Sequence, residues 1–165
     1  MIKLRPAGGA DADLLLDWAN DSVTRATSFH PEPIDRQTHL SWYAGRLADP
    51  ATRILIGLRD GIPVGQVRLT RDAYGAVEVG ISVAAEHRGR GVGRMLLGAA
   101  IEAALADREL DARRFVARIR PDNAPSIALF TGAGFSRTGA GSCNGVPCLY
   151  FERETDGPPE AAGPA

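Results

Sequence analysis

Glycines at 89, 91 and 93 alternate with Arg88, Arg90 and Val92, and Arg94 follows them. Just upstream, Val79-Gly80-Ile81-Ser82-Val83 reads as a strand; just downstream, Met95, Leu96, Ala99, Ala103 and Leu105 recur at helical spacing. A helix start exposes backbone N–H groups that have no intrahelical partner, and its dipole favours negative charge there. Glycine removes the Cβ atoms that would hold a phosphate off that backbone. Strand, glycine turn and helix thus form a pyrophosphate cradle rimmed by Arg88, Arg90 and Arg94. A dinucleotide-binding fingerprint would need glycine where Arg94 stands, and a P-loop would need Gly-Lys-Ser/Thr after the turn, so neither applies. A plain tight turn would explain the glycines through their φ > 0, but not three flanking arginines.

The elements around this turn follow from periodicity and caps. Ile2–Arg5 alternates as a first strand ended by Pro6, and Asp11 offers an N-cap to a helix with the stripe Leu14, Leu15, Trp18, ending near Asn20. Residues 21–34 read as a long irregular stretch carrying Arg25, Ser28, Phe29 and His30, the kind of loop that is functional or disordered in a compact domain. Asp35 is the next N-cap, before the stripe Leu40, Tyr43, Leu47. A meander follows: Ile54–Leu58, the hairpin signal Asp60-Gly61, Val64–Thr70 and Ala76–Val83. After the turn and its helix come a strand at Arg114–Ile119, a short helix at Ala124–Gly132 and closing strands near Phe135 and at Cys148–Phe151. This pattern predicts an α+β domain on a mixed, mostly antiparallel sheet, one domain over residues 1–155, with a disordered Pro/Gly/Ala-rich tail at 156–165.

The whole-chain numbers narrow the partners. A length of 165 residues suits one domain, and a net charge of −1 gives no basic field for nucleic acid or an anionic membrane. Two cysteines, Cys143 and Cys148, are too few for a disulfide framework and lack zinc-ligand companions, so no metal is expected. The N-terminus has no signal-peptide run and no stretch is long and apolar enough to span a bilayer, which together predict a cytoplasmic protein.

Arg88-Gly89-Arg90-Gly91-Val92-Gly93 resembles the R/Q-x-x-G-x-G/A acyl-CoA signature of the GNAT superfamily of N-acetyltransferases, and Glu78-Val79-Gly80-Ile81-Ser82-Val83 resembles the strand before it. Asn123 to Phe130, followed by Gly134-Phe135, resembles the family's second motif. The resemblance runs from Ile2 to about Arg153 and implies the GNAT fold, a sheet splayed around acetyl-CoA and flanked by helices. It implies that backbone groups of Ile81 and Val83, beside Ser82, pair with the pantetheine amides as an extra strand would. The turn from Gly89 to Gly93, with Arg88, Arg90 and Arg94, would hold the pyrophosphate. Asn123, Ser126 and Phe130 would line the thiol end, and an N–H near Val83 would face the developing oxyanion.

Acyl transfer to an amine also needs a route for the proton. Glu78 shares a strand face with Gly80 and Ser82 and is the candidate base, the alternative being an ordinary solvated strand glutamate. The family usually carries a tyrosine at Phe130 to protonate the thiolate. Without that hydroxyl the proton falls to Ser126 or to water, ahead of Tyr150 or Cys143. In the first half, Trp18-Ala19-Asn20-Asp21, Ser28-Phe29, His39 with Trp42, and Pro63–Arg68 resemble the GNAT branch that acetylates nucleotide-activated amino sugars, best known in the pseudaminic acid pathway. That resemblance implies an acceptor pocket of Trp18, Asn20, Arg25, Phe29, His39 and Arg68. For Trp18, Trp42 and His39 a core role competes. Other acceptors remain open: a protein N-terminus or lysine, a small amine, amino acid or antibiotic; so does a non-catalytic acyl-CoA-binding module. The chain is expected to act as a monomer or homodimer.

Overall fold

A computed structural model describes residues 1–155; the expected disordered tail lies outside the described residues. Seven strands form one sheet in the order β1-β2-β3-β4-β5-β7-β6. They are β1 (Lys3–Pro6), β2 (Thr52–Arg59), β3 (Ile62–Arg71), β4 (Ala76–Val83), β5 (Arg114–Ile119), β6 (Ser136–Cys143) and β7 (Val146–Glu154). The helices are α1 (Ala12–Ala19), α2 (Ser22–Ala26), α3 (Arg36–Ala48), α4 (Val92–Ala106) and α5 (Ala124–Gly132). Every pairing is antiparallel except β4–β5. Asp60 and Gly61, at φ 52° and 79°, make the tight turn between β2 and β3. The β4–α4–β5 connection is a helical crossover, which is why that one pair is parallel.

Strand alternation divides the sheet into two different faces. Leu69, Val77, Val79, Phe115, Ala117 and Phe151 point to one side and pack on Leu96, Leu97, Ala100, Ile101 and Ala104 of α4. Leu96 and Leu97 are fully buried, each worth about 1.5–3 kcal/mol of apolar transfer. By register, the opposite face carries Gln66, Arg68 and Thr70 of β3 beside Ser82, Gly80 and Glu78 of β4. At its β2 end that face is covered by α1 and α3, through Ala12, Leu15 and Tyr43 against Ile54. Over β3–β5 it stays open, and there the polar residues collect.

Three local expectations change. The stretch 21–34 contains α2, nucleated by Asp21, whose carboxylate accepts from Thr24 N–H at 3.0 Å. Asp11 stands at the N-cap of α1 but makes no side-chain cap bond. Its carboxylate takes two bonds from Arg5, at 2.8 and 2.7 Å, and one from Gly8 N–H at 2.8 Å, because the guanidinium at the end of β1 is within reach. The closing strands are longer than expected and form a hairpin around Asn144-Gly145, at φ 51° and 75°. Among the described residues no helix is long and apolar enough to cross a membrane, and no cluster of His, Cys, Asp or Glu suits a metal ion.

Candidate active site

β4 and β5 pair only from Ala76–Glu78 to Arg114–Val116, although β4 runs on to Val83 and β5 to Ile119. Beyond Glu78 the strands part and open a gap in the sheet. Ala84 N–H donates to Val64 O at 2.9 Å, so in the unbroken β3–β4 register residues 84, 82 and 80 bond toward β3. Antiparallel alternation then turns the N–H and C=O groups of Val79, Ile81 and Val83 toward the gap. The resemblance named Ile81 and Val83 for such a role. Val83 C=O, however, already accepts from Arg88 Nε at 3.1 Å, which leaves its N–H as the free group.

The gap leads to the glycine turn. Gly89 and Gly91 lie at φ 71° and 74°, a conformation that strains any residue with a Cβ, and Gly91 is the N-cap of α4. No side chain caps that helix start, so its N–H groups face outward unclaimed. Val92 turns its side chain into the core and offers only backbone. Gly93 is in the first turn, where an added Cβ would stand 3.5 Å from Leu129. Arg90 and Arg94 stand exposed on the rim with no ion-pair partner among the described residues. Arg88 behaves differently. Its Nη2 donates to Asp21 at 2.7 Å and to Thr24 Oγ1 at 3.1 Å, so its charge ties the end of β4 to α2. The Arg88 hydrogen bond holds the Asp21 carboxyl below the usual carboxylate range.

On the polar face the gap widens into a cleft of about 810 Å³ that includes Arg68, Glu78, Arg118, Ser126 and Phe130. Both carboxylate oxygens of Glu78 lie against Arg118 Nη2, at 2.8 and 2.7 Å. Arg118 was not singled out from the sequence; it lies on the face shared with Glu78 because Val116 pairs with Glu78. Asn123 caps α5 by accepting from Ser126 N–H at 3.3 Å, and Ser126 Oγ has no partner among the described residues. Phe130 is buried edge-on against Phe135 at 5.0 Å, an apolar wall with no proton to give. Ser82 Oγ is 3.3 Å from Gln66 Nε2. Cys143 borders the cleft, whereas Tyr150 does not. Burial, with Cys143 beside it, pushes the Cys148 thiol up to about 12 and keeps it protonated.

Of the residues expected around the acceptor, Arg25, Phe29, His39 and Arg68 meet in this cleft. Trp18 and Asn20 border a separate shallow depression beside Arg88. Trp18 packs on the α1–α3 core, and the Asn20 amide is spent on Ile34, bonding its N–H and its C=O at 2.8 Å each. His39 Nε2 lies 2.9 Å from Ala12 O, and its ring stacks on Tyr43 at 5.7 Å, so it supports the wall from within. Arg25 donates to Ala19 O at 2.5 Å and to His30 O at 2.6 Å, folding the 27–34 loop over the cleft. Arg120 donates to Ser28 O at 3.0 Å, and Asn144 meets His30 at 2.8 Å, so that loop is pinned on its far side as well. The 27–34 loop is therefore a pinned wall of the cleft.

Residues 2–136 match the acetyltransferase (GNAT) domain family. Over 145 residues the chain is 32% identical to an L-methionine sulfoximine/L-methionine sulfone acetyltransferase of Pseudomonas paraeruginosa, covering 82% of this chain and 81% of that protein. A Salmonella typhimurium protein solved with its cofactor acetyl-CoA is 25% identical, with a TM-score of 0.76, over 100% of this chain and 98% of the other. A ribosomal-protein-alanine N-acetyltransferase from Brucella melitensis is 28% identical, with a TM-score of 0.76, over 93% of this chain and 99% of its own.

Proposed function

The chain belongs to the acetyltransferase (GNAT) family, and we propose that it moves an acetyl group from acetyl-CoA to the amine of a small molecule held in the cleft of the polar face. The observation that carries this reading is the parting of β4 from β5 after Glu78 and Val116, which leads to the unclaimed N–H groups at the start of α4. Unsatisfied backbone on one strand edge fits an extended pantetheine arm, and the glycine turn beyond it fits a pyrophosphate. Bound acetyl-CoA supplies the thioester, whose carbonyl carbon bonds the acceptor nitrogen as its carbon–sulfur bond breaks. Val83 N–H offers a donor for the charge that develops on the carbonyl oxygen. Glu78 takes the proton from the amine, directly or through water, and Ser126 or water returns one to the departing sulfur.

The tethered wall favours a small acceptor over a peptide, since Arg25, Arg120 and Asn144 all hold the 27–34 loop in place at the cleft. The relative from Pseudomonas paraeruginosa is named for small amino acids, which agrees. The nucleotide-amino-sugar acceptor expected from the first half is less supported. Its diphosphate would rely on Arg25 and Arg68, but Arg25 Nε and Nη1 are already bonded to backbone carbonyls, which leaves Arg68 as the one cation of the two with no such bond, and Trp18 and Asn20 are outside the cleft. The test is thiol release from acetyl-CoA over a panel of amino acids, polyamines, peptides and a nucleotide amino sugar. Turnover of one or more small amines, with peptides inert, is the expected result; turnover of peptides alone would remove this acceptor class.

A further inference from the structure

Four arginines line the cleft, and three of them are already occupied. Arg25 is committed to Ala19 O and His30 O, Arg118 to Glu78, and Arg120 to Asp122 and Ser28 O. Arg68 makes neither a hydrogen bond nor an ion pair among the described residues. It is nevertheless well placed. Its guanidinium lies over the Trp42 ring, 5.4 Å from the centroid, which fixes its plane and covers one side. Its backbone pairs with Gly80, where an added Cβ would stand 3.6 Å from Nη2, so glycine leaves the head of the side chain clear. Burial works against its charge, opposed mainly by Glu78. A guanidinium stays protonated in such a setting, so this partly desolvated cation has Glu78 near it but no directly bonded anion to offset its lost hydration.

We propose that Arg68 receives a carboxylate of the acceptor and so sets the amine beside Glu78, which makes the preferred acceptor an amino acid. This rests on the reading that the cleft holds the acceptor. Glu78 is two residues from Gly80 on the same strand face, so carboxylate and amine binding points are neighbours, as they are in an α-amino acid. The planar fork of Arg68 matches a single carboxylate in bidentate fashion. A diphosphate would call for further free cations, and the other three arginines are engaged. A polyamine would set its positive charges against Arg68 and bring no anion to it, while Glu78 is already paired with Arg118.

The experiment compares L-methionine sulfone with its carboxamide, which lacks the negative charge, at a pH where both amines are largely neutral, alongside the proteinogenic amino acids, spermidine and a UDP-amino sugar. In the unmodified protein the amino acid should exceed its amide at least tenfold in kcat/KM. Arg68→Gln should raise the amino-acid KM at least tenfold, about 1.4 kcal/mol, and so bring its kcat/KM down to the level of the amide. The acetyl-CoA KM should stay within twofold, and Arg68→Lys should recover part of the loss. Equal rates for acid and amide in the unmodified protein would overturn the proposal without any variant. Equal losses on both substrates in Arg68→Gln would overturn it too. Turnover confined to the UDP-amino sugar, with the same Arg68 dependence, would transfer the site to phosphate and reject the carboxylate. Were no amine to release thiol, the proposed function itself would fail; calorimetric binding of the amino acids to the CoA-loaded protein would then decide Arg68 separately, and no binding would reject it.

Discussion

Glu78 is paired and still open to the cleft. Arg118 approaches both of its oxygens through one nitrogen, while the rest of the carboxylate borders the space where the acceptor would lie. That leaves it within reach of an acceptor's amine proton, as a general base must be. Glu78→Gln keeps the shape and removes the proton acceptor. It should lower kcat/KM by about 10²-fold or more, with the acetyl-CoA affinity nearly unchanged. The pH–rate profile should lose its acid limb. A profile that keeps both limb and height would return Glu78 to the part of a strand-surface residue paired with Arg118. Phe130 has a simpler consequence: its ring is locked against Phe135, so the proton for the departing sulfur must come from elsewhere in the cleft or from solvent.

Elements in this fold are joined by a few charged contacts that also shape the site. Arg88 ties the end of β4 to α2, and Arg5 ties the end of β1 to the start of α1. The second tie makes a pH-dependent prediction. The hydrogen bond from Arg5 holds the Asp11 carboxyl below its usual range, ahead of the opposing effect of burial. A lowered native value means that the contribution is fully present above the unfolded value near 4 and is lost as pH falls through the lowered native value. Arg5 is 39% exposed, so solvent screens the pair. Asp11→Asn should then cost about 1 kcal/mol at pH 7, roughly 2–4 °C in Tm. Melts of both proteins from pH 7 down to pH 3 should converge in the acid range; a difference that persists there would assign the loss to packing.

For the whole molecule the consequence is a sheet missing a stretch of pairing at its middle. The apolar face is closed by α4, but the β4 edge beyond Glu78 waits for a partner. Anything that binds this gap in the native state alone stabilises the fold by mass action, about 2.7 kcal/mol at a hundred times Kd. Acetyl-CoA at that excess should raise Tm by roughly 5–10 °C. Gly91→Val places a β-branched residue at φ 74° on the open side of the turn and should abolish most of that shift. The ligand-free melt of the variant separates backbone strain from lost binding. An undiminished acetyl-CoA shift in a folded Gly91→Val protein would remove the turn from the binding site.

Features that depend on near neighbours in the chain were legible in the sequence. Ala76–Val83, Arg114–Ile119 and Ala124–Gly132 are bounded as expected, Asp35 caps α3, and the glycine turn opens α4, because periodicity, caps and turns are set by adjacent residues. α2 escaped notice because five residues are too few for a helical stripe; its cap Asp21 is further held by Arg88, 67 residues away. The Glu78–Arg118 ion pair needed the β4–β5 register, which sets the two residues together across a separation of 40 residues. The same holds for the arginines of the cleft. Composition supplies the charges, but which guanidinium is spent on a carbonyl and which is left for a ligand depends on distances the fold alone decides, since a hydrogen bond forms only within about 3 Å. The chain's own pattern determined the family resemblance and the glycine turn; the tertiary structure decided that Arg25, Asn20 and His39 are bonded to backbone groups and that Arg68 has no hydrogen-bond partner among the described residues.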